Sequence, residues 1–102
     1  MMRIMTAVDY MQKELKHADK FLDYAVESKH TAPELFETYM KIAENEAANA
    51  EAIHTIVIRM VDKASLESGT PQGMKDIWAW KHKEYVDEYA QFKAKLEALK
   101  RM

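Results

Sequence analysis

The sequence predicts an all-α fold, an antiparallel up-down-up bundle of three long helices over about residues 4–29, 32–67 and 71–100. Three observations point there. Apolar residues recur at alternating spacings of three and four in three long stretches. The chain holds only two glycines and two prolines, and three of these four lie at the two breaks between the stretches. Both breaks are short, and short loops force successive helices to run antiparallel.

In the first segment Ile4, Val8, Met11, Leu15, Ala18, Leu22 and Ala25 form one row. A second edge of Ala7, Tyr10, Glu14, Phe21 and Tyr24 widens the apolar face. The first break, His30 to Glu34, offers Thr31 as an N-cap, Pro33 in the first turn and Glu34 three residues after the cap, the pattern of a capping box. The second row is Leu35, Tyr39, Ile42, Ala43, Ala50, Ile53, Val57, Met60 and Ala64, with Glu46 standing where a hydrophobe is expected. At Ser68-Gly69-Thr70-Pro71, Gly69 suits the left-handed conformation that ends a helix, and Thr70 and Pro71 can begin the next. The third row is Met74, Trp78, Tyr85, Tyr89, Phe92, Leu96 and Leu99, and His82 lies within it. Lys93, Lys95, Lys100 and Arg101 place positive charge where the dipole of this last helix favours it.

The 102 residues suffice for one domain and one core. With 48% hydrophobic and 31% charged residues the balance is that of a globular chain. The net charge of −2, with both signs mixed along each segment, leaves no basic field for a phosphate backbone, so nucleic acid is not expected as a partner. Cysteine is absent, which excludes disulfides, thiolate metal sites and cysteine nucleophiles. The N-terminus turns polar too early for a signal peptide, and no run approaches the roughly 20 apolar residues of a membrane span. A soluble, cytoplasmic protein without membrane contact is expected. The eight methionines split between packing positions (Met11, Met40, Met60) and the chain ends, where they could cover a partner. Three helices of such length leave one side of the hairpin thinly covered, so a homodimer completing a four- or six-helix core is expected.

Glu46 and His82 carry the chemistry that the pattern allows. A carboxylate and an imidazole aimed into a helical core must pair, bind a metal or lose their charge. Glu46 is expected to be bonded to Tyr10, Tyr39, His82 or Tyr85, with metal ligation as the alternative. His82 can bond through both ring nitrogens, and a pairing with Glu46 or Glu14 would fix how the third helix crosses the other two. Glu14–His17 and Glu51–His54 are spaced i, i+3, each pair on one helix face. His17, with Lys13 and Lys20 one turn away on either side, reads as a solvated face; His54, at the edge of its stripe, reads as an interhelical hydrogen-bonding residue. Trp78 belongs to the third row, whereas Trp80 lies about 200° round the helix and is left for a partner, a dimer contact or a lysine stem from the turn of Lys83 and Glu84. Trp80, Lys83 and Tyr89 are the candidate partner-binding residues. No phosphate loop and no serine triad is present.

The runs Glu14-Leu15-Lys16-His17-Ala18-Asp19-Lys20-Phe21 and Ala43-Glu44-Asn45-Glu46-Ala47-Ala48-Asn49-Ala50-Glu51-Ala52-Ile53-His54 resemble the helical hairpin of ferritin-like proteins. That resemblance implies Glu14 and Glu46 as the metal-binding glutamates of its two helices. Asn49 stands where the motif has histidine, so the hairpin is carried in degenerate form. The whole chain, and Ile77-Trp78-Ala79-Trp80-Lys81-His82-Lys83 above all, also resembles small helical proteins of phages and prophages of gut Firmicutes. This resemblance implies a phage origin and action in the host cell cytoplasm. The leading expectation is a non-enzymatic protein that needs no cofactor and works by binding another protein, such as a host defence component, or itself. The alternatives are a ferritin-like di-metal protein that binds iron or manganese through Glu14, Glu46, His82 and His54, and a packing module of a phage assembly.

Overall fold

The computed structural model describes residues 2–66, 69 and 71–102. They form three α-helices, α1 (Met2–Ser28), α2 (Pro33–Leu66) and α3 (Gln72–Arg101), and the fold is an all-α three-helix bundle. The expected second break falls partly on Glu67, Ser68 and Thr70, which lie outside the described residues. Gly69 has a φ of 102°, the left-handed conformation expected of it. At the first break the backbone makes the cap. Ala32 N–H donates to the Ser28 carbonyl (2.8 Å), and the Ala32 carbonyl accepts from Phe36 N–H (3.1 Å). Pro33 is the first residue of α2, so Ala32 takes the capping position that the sequence assigned to Thr31.

Side-chain size sets the packing. Ala18 and Ala25 on α1 and Ala43, Ala47 and Ala50 on α2 are buried, and such small residues let two helices approach closely. Val8, Met11, Leu15 and Leu22 from α1 and Val57 from α2 fill the space between them. Helix α3 lies against this hairpin through Tyr85, Phe92, Leu96 and Leu99, while no residue from Gln72 to Glu84 is buried. Lys95 reaches both Asp19 and Asp23 on α1, and Lys100 reaches Glu44 on α2 at 2.6 Å. Burial lowers the proton affinity of Lys95, but its hydrogen bonds to Asp23 and Asp19 outweigh that and hold it above the usual lysine range.

The bundle measures 57 × 18 × 15 Å with a radius of gyration of 16.3 Å. A globular chain of about 100 residues has a radius near 13 Å. The molecule is therefore long and thin, and each cross-section has few inward positions. Among the described residues no helix is long and apolar enough to cross a membrane.

Candidate functional site

Two features stand out, a polar network between α2 and α3 and an open apolar seam between α1 and α2. The network begins at Glu51 and His54, which share one face of α2. Glu51 Oε1 lies 3.2 Å from His54 Nδ1, and Tyr85 on α3 donates its hydroxyl to Glu51 Oε2 at 2.7 Å. His54 Nε2 lies 3.2 Å from His82 Nδ1. A carboxylate only accepts, so the Glu51 contact places a proton on His54 Nδ1. In the neutral ring Nε2 then accepts, and His82 Nδ1–H is its donor. The rings of His54 and His82 stack at 5.1 Å between centroids, and Trp78 packs against His82 at 5.0 Å with its ring tilted by 39°.

Burial sets the charges here. His54 is 8% exposed and Tyr85 1%. Burial and the neighbouring His54 push the proton affinity of His82 below the ordinary histidine value, with Glu51 opposing. Burial and the bond to Glu51 push the Tyr85 hydroxyl far above the ordinary tyrosine value, so it stays a donor. Burial also raises Tyr89, whose ring stacks on Tyr85.

His54 thus makes the interhelical bond expected of it. His82 faces inward as expected, but its partner is His54, not Glu46 or Glu14. Tyr85 bonds to Glu51 rather than to Glu46. The spacing Glu51–His54 and the place of His82 within its stripe were the traces of this network in the sequence; no local pattern joins residues 28 and 34 positions apart.

Glu46 faces α1. Burial and the charge of Glu14 raise its carboxyl above the ordinary range, with His17 opposing. Its Oε2 is buried and has no hydrogen-bond partner among the described residues. Glu14 and Glu46 therefore come together, and so do His54 and His82, but the two pairs lie at different levels. Eight residues separate Glu46 from His54, about 12 Å along the helix. Among the described residues no group of three or more histidine, aspartate or glutamate side chains is placed to hold a metal ion.

Around Glu46 runs the seam, on the side of the hairpin away from the buried face of α3. Glu46 shares a cleft with His17, Lys20, Phe21 and Tyr24. Phe21, Tyr24 and Tyr39 form a ring cluster with centroids 5.6 to 6.0 Å apart. Tyr10 (51% exposed), Leu35 (47%) and Ile56 (54%) extend the apolar surface along both helices. Leu35 was expected in the core row, and lies instead on this open edge.

Trp80 is 64% exposed, and Lys81 Nζ sits 5.5 Å from its ring centroid, so the lysine-stem alternative is met by Lys81 rather than from the turn of Lys83 and Glu84. Lys83 is exposed. Tyr89 is half-buried and, nine residues from Trp80, lies half a turn out of phase with it, so the two do not share a surface. Comparison with known proteins finds no family model, no curated protein and no solved structure that matches this chain.

Proposed function

We propose that this protein acts by binding another protein chain, with the α1–α2 seam as its receptor surface. The observation that supports the reading is the open apolar patch at one end of the seam, where the exposed Tyr24 and Leu35 lie beside the half-buried Phe21 and Tyr39, with Tyr10 and Ile56 exposed toward the other end. Scattered single hydrophobes are ordinary on a surface, whereas a contiguous apolar strip marks an interaction site. Two antiparallel helices with an apolar groove between them suit a third helix laid into that groove.

A photo-crosslinking phenylalanine analogue at position 56 tests the reading, with position 94 on the exposed face of α3 as control. The expected result is a protein adduct from position 56 and none from position 94. Equal yields from both, or none from either, would overturn it. The Trp80 face is the second surface of this kind, and the same analogue at position 83 reports on it.

A second reading, metal binding by carboxylates, draws on one observation, the unpartnered Glu46 Oε2 beside Glu14. Iron or manganese bound in stoichiometric amount, and lost in Glu46→Ala, would favour it. Metal-free protein of normal stability would reject it.

A further inference from the structure

We infer that the occupant of the seam is a second copy of this chain, packed about a two-fold axis so that α1 of each copy lies across α2 of the other, with Glu46 of one meeting Lys20 of its mate. The inference rests on the protein-binding reading above and names the partner.

A two-fold interface must be complementary to itself, because each patch meets its own copy. This seam carries both signs. Glu14 and Glu46 lie within it, while Lys13, His17 and Lys20 follow the outer edge of α1. Neither Lys13 nor Lys20 is held in an ion pair among the described residues. The outer edge of α2 at the same level carries Asn45 and Asn49, which are exposed and uncharged. Laying α1 of one copy across α2 of another therefore brings unpaired lysines to the carboxylates without opposing like charges. An acidic partner helix would leave Glu46 unanswered, and a basic one would meet the lysine edge.

Glu46 is half-buried; its Oε2 is enclosed within its own chain, so a lysine of the mate would meet the carboxyl at Oε1. Lys20 lines the same cleft as Glu46, so a two-fold axis near this level carries the lysine of one copy to the carboxylate of the other. Two paired hairpins would then enclose Phe21, Tyr24, Tyr39 and Ile56 in a four-helix core.

Sedimentation equilibrium over about 1 to 100 μM tests the inference, because dimers obey mass action. The expected result is a mass rising to twice the 11.9 kDa of the chain. Glu46→Lys and Lys20→Glu should each weaken dimerisation by about tenfold or more, and the double variant, which restores opposite charges across the axis, should recover most of that loss. Ile56→Glu, at a position already exposed, should keep the helical circular dichroism and abolish the dimer. A concentration-independent mass of one chain would overturn the inference, as would a double variant no better than the single ones. A single-chain mass together with adducts from position 56 to a different protein would overturn this inference alone. The same mass with no adduct would overturn the protein-binding reading as well.

Discussion

Tyr85→Phe removes one oxygen and leaves the ring, so it isolates the α3 end of the polar network. The hydroxyl is buried with its residue (1% exposed) and donates to Glu51 Oε2 at 2.7 Å. Hydrogen bonds to charged groups contribute about 1.5–3 kcal/mol. The Glu51 side chain keeps 40% of its exposure, so water can replace part of the lost bond and the expected loss sits lower, at about 1 kcal/mol. For a chain of this length that corresponds to a fall in Tm of about 4–8 °C. Urea unfolding at pH 7, followed by circular dichroism, measures it. A cycle with Glu51→Ala should return a coupling of about 0.5–1.5 kcal/mol, because both variants break the same bond. Additive effects, or a Tyr85→Phe protein as stable as the parent, would refute the claim that this bond helps hold α3 to the hairpin.

Three further outcomes are expected. The folded state holds His82 below its ordinary value of 6.5, so the unfolded chain takes up that proton first; stability present above about pH 6.5 is lost as the pH falls toward the folded value. In His82→Gln this acid loss of Tm should flatten, and a loss as steep as in the parent would count against the assignment. Gly69→Ala forces an L side chain into a φ of 102° and should cost about 1–2 kcal/mol, while Gly73→Ala, in helix with open space around the new Cβ, should gain up to about 0.5 kcal/mol; denaturation midpoints that move in the same direction would be unexpected. Ala47→Leu places a branched side chain at a 4% exposed position of α2 beside Phe92 and Leu96 of α3 and should cost about 1–3 kcal/mol by the same measurement.

How much of this was legible depends on how many neighbours each helix has. Every residue of the predicted α1 row, from Ile4 to Ala25, is buried, because α1 turns one stripe toward the other two helices. Helix α2 is apolar over a wider arc. Period alone put Leu35 inside, passed over the buried Ala47 and left the buried His54 at the stripe's edge, while Met40 was picked out by residue type rather than by row. In α3 Tyr85, Phe92, Leu96 and Leu99 of the row are buried, but Met74 and Trp78 are only half-covered, since among the described residues nothing closes over that end. The two polar misfits were visible in the sequence because each interrupts a stripe. Their partners were not, because a pattern along one helix carries no information about which level of another helix it meets. His82 found His54, and Glu46 found no donor within its own described chain.

The position of the histidine network along α3 accounts for its makeup. Below it Phe92, Leu96 and Leu99 pack against the hairpin through contacts that have no direction. Such a surface tolerates a slip of one turn, about 5.4 Å, because one apolar residue replaces another. Above it, from Gln72 to Lys81, no residue is buried, and the half-covered Trp78 adds only further contact without direction. Tyr85 and His82 stand where the buried half of α3 gives way to the half-covered one, and both bond to α2. A one-turn displacement breaks both bonds at once and leaves the Tyr85 hydroxyl without its acceptor. Apolar contact thus holds α3 in place sideways, and the network, with the ion pairs of Lys95 and Lys100 farther along, fixes its position along the axis. Buried polar pairs of this kind specify an arrangement more than they add net stability. It follows that replacing His54 and His82 together by apolar residues should cost little stability while loosening the register of α3. Amide exchange in the half of α3 before Tyr85 would then quicken with little change in the unfolding midpoint. Unchanged exchange there would mean that apolar packing and the lysine ion pairs set the register without the network.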